Sequence, residues 1–338
     1  TDSQSLQHYG RDWTRFAAPA PSGVLLPNTI GEIQAIVGLA RQNGVKLVPS
    51  GGRTGLSGGA MATNGELVLS LERMRKILPV NKAGRSVTCE AGAITAQIQR
   101  AAATEGLMYP VDFASSGSSQ IGGNIATNAG GIQVIRYGMT RDWVTGLKVV
   151  TGTGELLKLN HGLIKNNTGL DFRHLFIGSE GILGVIVEAT LALTDPPTNP
   201  RVMVLGVQSM PAIMQVLAKC QARLSVLAFE FFSDLALEKV TAAHSVQPPF
   251  QARFPYYALV EFESISKAAE TQALELVEAC MAAGWVEDAV LSQNESQRRS
   301  LWRLREDISE TIAQWTPYKN DISTTVQQAP ELLRSVDA

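Results

Sequence analysis

The stretch Pro49-Ser50-Gly51-Gly52-Arg53-Thr54-Gly55-Leu56-Ser57-Gly58-Gly59 puts five glycines into eleven residues. It cannot be a helix or the interior of a strand, because each glycine loses the most backbone freedom on folding and packs no side chain. What it offers is backbone N–H groups with no Cβ atoms in the way, a nest that can close on an anion such as a pyrophosphate. The run Val45-Lys46-Leu47-Val48 just before it reads as a buried strand closed by Pro49. A glycine-rich surface turn would share this composition, so the neighbouring segments have to decide.

Those neighbours alternate short strands with amphipathic helices. Thr29 and Glu32 form a capping-box pattern, Ile33, Ile36, Val37 and Ala40 make one apolar face, and Gly44 ends the helix. Residues 67–71 and 87–91 read as strands, and 94–105 as a helix with Ile94, Ile98 and Ala101 inward, stopped at Gly106. The mixture is α+β or α/β rather than a bundle.

Residues 115–131, Ser115-Ser116-Gly117-Ser118-Ser119-Gln120-Ile121-Gly122-Gly123-Asn124-Ile125-Ala126-Thr127-Asn128-Ala129-Gly130-Gly131, mix small residues, hydroxyls and carboxamides and carry no charge. Backbone and short side chains of this kind suit close approach to a large, flat, polar ligand. Ile121, Ile125 and Ala129 recur at helical spacing, which argues against a low-complexity linker and for a short helix aimed at the ligand. Residues 144–151 and 155–159 flank Gly152-Thr153-Gly154 as a hairpin. That Gly-x-Gly lacks the third glycine and the following helix of a Rossmann fingerprint. In 177–187 glycines recur every third residue ahead of a β-branched strand, and Asp195-Pro196-Pro197-Thr198-Asn199-Pro200 marks the clearest boundary.

Beyond that boundary, strands at 201–207, 226–232, 256–262 and 287–291 alternate with helices at 211–222, 234–243, 267–283 and 294–314. This order suits a sheet covered by helices on one face, in the ferredoxin-like manner. A last strand is expected at 320–326 and a helix from Pro330. The chain stops at Ala338 inside that helix, so a longer protein is expected.

At 338 residues the chain exceeds one ordinary core and suggests two domains. With 29 basic and 31 acidic residues the net charge is −2, which gives no drive toward nucleic acid or an anionic membrane. No apolar run reaches spanning length, and residues 1–10 lack a signal-peptide core. Cys89, Cys220 and Cys280 are few, odd in number and far apart, which fits a reducing compartment, with cytoplasm the default. His8, His161, His174 and His244 have no ligand spacing and no CxxC exists, so no metal site is expected in this segment. Gly55-Leu56-Ser57-Gly58-Gly59 fits a nucleophile elbow, but a poor helix follows and no Asp-then-His order appears. Walker A and H-E-x-x-H patterns are absent.

Taken together, 49–59, 115–131, Arg136-Tyr137-Gly138 and 178–186 resemble, in order and spacing, the FAD-binding domain of the vanillyl-alcohol oxidase (PCMH-type) family. Within it the chain is most similar to the flavin-linked D-2-hydroxyacid dehydrogenases, the D-2-hydroxyglutarate branch above all. The likeness runs from about residue 11 to the end. It implies an α+β chain with a two-subdomain FAD-binding domain at 1–195 and a ferredoxin-like α/β substrate, or cap, domain at 196–338, incomplete at its C-terminus. It also implies that Pro49, Gly51, Gly52, Arg53, Thr54, Gly55, Leu56 and Ser57 lie around the FAD pyrophosphate. Ser115, Gly117, Ser118, Ile121, Gly122, Gly123, Asn124, Thr127, Asn128, Ala129 and Gly130 would line the pyrophosphate and the isoalloxazine edge, with Pro110 and Gly138 as further cofactor-binding residues. Glu180, Gly181, Gly184 and Ile186 would contact the adenosine end. The first loop holds neither His nor Cys, so the flavin is expected to be non-covalent, with Cys89 in a strand a poor attachment point.

The last long helix sets Trp302, Arg305 and Ser309 on one face, with Leu301, Leu304, Ile308 and Ile312 buried opposite. From spacing alone, a solvated face shared with Arg298, Arg299 and Arg303 is the plainer reading. The resemblance shifts the balance, because Arg305-Glu306…Ser309 and Lys319-Asn320-Asp321-Ile322-Ser323 match the D-2-hydroxyglutarate branch. With Ser309 as a third substrate-site residue, the resemblance then implies a substrate held by Arg305 and Lys319, a 2-hydroxy acid with a second carboxylate, 2-hydroxyglutarate or malate-like, oxidised by hydride transfer to flavin N5. The family's His-rich motif, source of its base and divalent-metal site, has no counterpart here, so no catalytic base and no metal ligand is assigned within 338 residues. A zinc-like metal enters only with chain beyond Ala338. The electron acceptor stays open among oxygen, an electron-transfer flavoprotein, a quinone and a cytochrome, and homodimerisation and peripheral membrane association stay open as well. Competing readings are a D-lactate or glycolate dehydrogenase of the same family, a catalytically silent FAD-binding electron-relay subunit, an NADPH-using enolpyruvyl-sugar reductase and a serine hydrolase using Ser57.

Overall fold

A computed structural model describes residues 2–14, 17–244, 246–315 and 322–336. The chain divides into two compact units, Thr1–Pro196 and Pro197–Ala338.

The first unit opens with helix α1 (Ser3–Tyr9), then strand β1 (Gly23–Leu25), helix α2 (Ile30–Gln42), β2 (Leu47–Ser50) and β3 (Leu67–Ser70). The three strands form a parallel sheet in the order β1-β3-β2. In α2 the Thr29 side chain accepts from Glu32 N, while the Glu32 carboxylate reaches one residue further back, to Asn28 N at 2.7 Å. Ile33, Val37 and Ala40 are buried along the apolar stripe. Strand β2 differs from its expectation: it runs through Pro49 to Ser50, and only Ser50 is buried. Its place at the sheet edge is the reason, since a proline there leaves no ladder hydrogen bond unmade on the inner side.

The second sheet is antiparallel, in the order β4 (Ser86–Glu90), β7 (Gly184–Ala192), β5 (Val144–Thr151), β6 (Leu156–Leu159). Helix α3 (Thr95–Thr104) buries Ile98 and Ala102 rather than Ala101. Helix α4 (Ile121–Ala126) follows, then the single turns α5 (Val134–Tyr137), α6 (Thr140–Trp143) and α7 (Arg173–Phe176). One core, from Ile33 and Val37 through Leu69, Cys89 and Ile98 to Ile121, Ile125 and Val187, runs between the two sheets.

The second unit reads β8 (Pro200–Val207), α8 (Met210–Arg223), β9 (Val226–Ser233), α9 (Asp234–Ala243), β10 (Tyr256–Glu263), α10 (Lys267–Ala282), β11 (Val286–Leu291), α11 (Glu295–Glu306), α12 (Ile308–Ile312) and α13 (Ala329–Val336). Its sheet is antiparallel between neighbours, in the order β11-β8-β10-β9. This is the split βαβ arrangement of a ferredoxin-like fold with α9 added. Its own core includes Met203, Leu205, Ile213, Val216, Val260, Phe262 and Leu276.

Four expectations are corrected here. The helix expected over 294–314 is broken at Asp307, whose N–H caps α11 on Arg303 O while its C=O starts the next turn by accepting from Thr311 N. No strand occupies 322–326; Val326–Gln328 is a 3₁₀ turn, with Thr325 Oγ1 donating to Gln328 Oε1 at 2.8 Å, that feeds α13. Trp302 is buried, 5% exposed, and donates its indole N–H to the Glu261 carboxylate at 3.1 Å, so it belongs to the packed side of α11 with Leu304. Leu301, Ile308 and Ile312, expected to be buried, are only partly covered.

Candidate functional site

Three of the singled-out segments meet in one cleft of the first unit. It is lined by Pro49, Ser50 and Gly51 at the end of β2, by Gly122, Gly123 and Ala126 of α4, and by Glu180, Gly181, Gly184, Val185 and Ile186 leading into β7, with Leu71 and Ala91 completing the wall. The cleft encloses roughly 420 Å³, counting the part open to solvent.

Two glycines explain how the segments come so close. A Cβ on Gly52 would stand 2.3 Å from Ser118 O and 2.9 Å from Ser119 Cα, both backbone atoms that cannot step aside. A Cβ on Gly122 would meet Ala91 Cβ at 2.7 Å. The second of the α4 pair behaves differently: a Cβ on Gly123 would meet nothing within 4 Å. One glycine of the pair packs the helix and the other leaves the cleft open. The backbone N–H groups of Ile121 and Gly122 donate to Ala93 O and Ala91 O at 2.9 and 2.8 Å. Helix α4 therefore turns its flank to the cleft and is not aimed at it end-on, because its first donors are tied to the turn between β4 and α3.

Left-handed backbone at a non-glycine residue is costly and gathers at functional sites. Each segment has one such residue: Arg53 at φ 59°, Asn128 at φ 49° and Glu180 at φ 52°. All three are held by hydrogen bonds. Arg53 lies over the Tyr9 ring at 4.8 Å, donates to Gly51 O at 3.2 Å and pairs with His8 Nε2 at 3.0 Å. Asn128 Oδ1 accepts from Arg141 N at 3.0 Å. Glu180 N donates to Ala126 O and Gly178 N to Ile125 O, docking the third segment on the last turn of α4. Burial, more than any neighbouring charge, lowers the Arg53 guanidinium from its ordinary value and raises the Tyr9 phenol, which donates to Glu72 Oε1 at 2.5 Å.

The other sequence-selected residues fall around this centre. Ser115, Gly117 and Ser118 form a tight turn in which Ser115 O accepts from Ser118 N and Ser119 N at 3.0 and 2.8 Å. Thr54, Gly55, Leu56 and Ser57 continue the first loop, the last three exposed. Thr127 Oγ1 donates to Gly123 O at 3.0 Å, Ala129 O accepts from Thr140 Oγ1 at 2.7 Å, and Gly138 caps α5 at φ 73°. Gly130 is half-buried and Pro110 is buried beside Tyr109. Asn124 is turned inward: at 6% exposure its Nδ2 donates to Thr95 Oγ1 at 2.6 Å, and Thr95 bonds Ser119 Oγ at 2.8 Å. Sequence reasoning missed Ser50 and Gln120. Both are buried, and Ser50 Oγ and Gln120 Oε1 have no hydrogen-bond partner among the described residues. Only a polar residue beside a glycine nest hinted at them. Leaving such atoms unpaired costs about 1–3 kcal/mol each, so the site is built for a polar occupant.

The cleft fits a dinucleotide in its backbone-lined walls, its unpaired polar atoms and its strained corners. The cysteines do not suit covalent attachment. All three are buried, and burial pushes the Cys89 and Cys220 thiols up to about 12 and raises Cys280, so the reactive thiolate is disfavoured.

In the second unit, Arg305 Nε donates to Glu230 Oε2 at 2.8 Å, from α11 to β9. Burial holds the Glu230 carboxyl above its ordinary value, against the pull of Arg305. Ser309 lies beyond the break at Asp307 and is exposed on α12. Lys319, Asn320 and Asp321 lie outside the described residues. Among the described residues no group of three or more His, Cys, Asp or Glu side chains could hold a metal ion, and no helix is long and apolar enough to cross a membrane.

A two-sheet unit with a glycine-lined cleft is followed in the chain by a ferredoxin-like unit. Comparison with known proteins makes this a flavin-dinucleotide-binding class of protein: residues 21–160 match the FAD binding domain, and residues 196–338 match the FAD linked oxidases, C-terminal domain. Over all 338 residues the chain is 56% identical to D-2-hydroxyglutarate dehydrogenase of Stutzerimonas stutzeri (strain A1501), spanning 73% of that protein. It is 55% identical to the enzyme of that name from Xanthomonas citri pv. viticola, spanning 71% of it. Against the mitochondrial D-2-hydroxyglutarate dehydrogenase of Bos taurus it is 32% identical, covering 63% of that protein. A solved structure of alkyldihydroxyacetonephosphate synthase shares the fold at a TM-score of 0.70 and 18% identity, over 93% of this chain and 64% of that one. The chain belongs to the FAD-linked oxidase family.

Proposed function

We propose that the chain binds FAD non-covalently through its first unit and serves the oxidation of a D-2-hydroxy acid with a second carboxylate to the 2-oxo acid. 2-Hydroxyglutarate is the favoured substrate and a malate-like diacid the next. The observation that carries the cofactor half is the convergence of three sequence segments on one cleft lined by five glycines and by Ser50 and Glu180, with apolar side chains such as Leu71, Val185 and Ile186 between them. The substrate half is supported by similarity over all 338 residues, at 55–56% identity, to two proteins named D-2-hydroxyglutarate dehydrogenase, of which the chain spans 73% and 71%. When bound, FAD supplies the two-electron acceptor for the α-carbon hydride. The protein's part is to hold and orient: Arg305 is assigned to a substrate carboxylate, with Ser309 and Lys319 as its companions. Glu230 then fixes the guanidinium plane through the Nε edge. The second unit, from Pro197 on, is the substrate-binding part in this reading. Electrons leave to an electron-transfer flavoprotein, a quinone or a cytochrome, in the cytoplasm, from a monomer or a homodimer.

Anaerobic mixing of the full-length flavoprotein with D- and L-2-hydroxy acids tests this reading. Bleaching of the flavin band by D-diacids is expected, and none with any acid counts against it. Replacing Arg305 by Ala is expected to raise KM for diacids roughly a hundredfold while monoacids change far less, as loss of a charge-assisted pair implies. Equal losses for both would remove the second-carboxylate role.

A further inference from the structure

The cleft is short of positive charge for the ligand it suits. A dinucleotide brings an anionic diphosphate, yet none of the thirteen lining residues is lysine or arginine. Glu180 is an acceptor when ionised, so Ser50 is the one lining side chain that carries a hydrogen-bond donor. Its residue is 2% exposed and its Oγ is unpartnered among the described residues. Directly behind Gly51, Gln120 is 7% exposed, and its unpartnered Oε1 lies 3.5 Å from where a Cβ on Gly51 would stand. The oxygen and nitrogen of a carboxamide exchange by a half-turn, so that position presents an N–H as readily as a C=O. Two buried polar groups, unpaired among the described residues, thus adjoin the same wall from two different segments, one at the end of β2 and one at the start of α4.

We propose that Ser50 and Gln120 are the side-chain anchors of the dinucleotide's diphosphate: Ser50 Oγ–H donates to a phosphate oxygen and the Gln120 carboxamide turns its NH₂ toward the same group. The inference rests on the FAD reading above and assigns to the cofactor two side chains that sequence reasoning had passed over. In a cleft without basic residues, neutral donors carry the discrimination for phosphate. A pair of buried waters would satisfy the same atoms without any ligand, and the two cases differ in what a substitution disturbs. Anchors affect binding, whereas water ligands affect folding.

The test uses the full-length protein, stripped of flavin and titrated with FAD, with ADP as a diphosphate without the flavin, and with riboflavin as a flavin without phosphate. Ser50→Ala and Gln120→Leu are each expected to raise the Kd for FAD and for ADP about tenfold, the loss of one hydrogen bond to a charged group. Riboflavin binding should not move. Gln120→Glu, which sets a carboxylate against the diphosphate, should weaken both nucleotides further. The Tm of the flavin-free Ser50→Ala protein should be unchanged or higher, because an unpaired buried hydroxyl has been removed. An unchanged Kd in either variant overturns the assignment of that residue, and a fall in the flavin-free Tm beside it identifies a water ligand. If Gln120→Leu fails to fold, Gln120→Glu decides for that residue. Wild-type protein that takes up no FAD overturns the functional reading and this inference together. Wild-type uptake matched by both variants overturns this inference alone.

Discussion

Gly52 has less room than any other glycine of the first loop, with Ser118 O 2.3 Å from where its Cβ would stand. Gly52→Ala must push apart the two segments that form the cleft, and overpacking of this kind costs about 1–3 kcal/mol. The expected result is a protein purified with little flavin and with a lowered Tm, read by absorbance and calorimetry. Gly58→Ala is a poor control, because its φ of 79° strains any side chain there. Gly123→Ala is the useful one: a Cβ there meets nothing in the protein, so its Tm should hold while FAD affinity falls. The sequence marked all of these glycines alike. It could not say which one touches backbone and which one faces the cleft, because that depends on partners more than sixty residues away. Residue reasoning was also misled at Trp302, where helical spacing put the indole beside Arg305. The structure turns it inward because its N–H finds the buried Glu261 carboxylate.

Helix boundaries were read well at α2, α3, α8, α9 and α10 and at the start of α11, whereas α1, capped by the Asp2 side chain, was not read at all. Thr29, Ser209, Ser233, Ser266 and Asn294 each cap a helix with their own side chain, and Gly44, Gly106 and Gly284 follow helix ends at positive φ. Errors came where tertiary placement overrode the local signal. Pro49 closes a strand on paper, but the edge position of β2 tolerates it. At Asp307 the backbone flattens to ψ −9°, where α11 ends and α12 begins, and no glycine or proline in the sequence marks the spot. The element that matters most for the site is α4, pinned to α3 and to residues 115–119 by the buried Asn124–Thr95–Ser119 hydrogen bonds. Asn124→Ala leaves Thr95 and Ser119 short of a partner and should cost about 1–3 kcal/mol. That corresponds to a Tm lower by about 2–4 °C for each kcal/mol in a domain of this size. FAD affinity should fall only in proportion to the misplacement of α4. A variant as stable as wild type would show that this polar cluster does not hold the helix.

Among the described residues there are two cores, one in each unit, so heating is expected to give two calorimetric transitions rather than one. Excess FAD should move the transition of the Thr1–Pro196 unit alone, by the linkage that yields about 2.7 kcal/mol at a hundredfold excess over Kd. A shift of both transitions together would mean that the units unfold as one.

What the sequence determined by itself was the set of local commitments. These are the glycine-rich loop after β2, the uncharged small-residue stretch before and through α4, the proline boundary, and the alternation of strand and helix that makes the second unit ferredoxin-like. Each follows from backbone freedom, side-chain size or periodicity within a few residues. Only the tertiary structure decided that Ser50 Oγ and Gln120 Oε1 are buried without partners among the described residues, that Asn124 points inward, and that Arg305 is held by Glu230. Those outcomes depend on which distant atoms arrive within hydrogen-bond reach, and residue spacing along a chain carries no record of that.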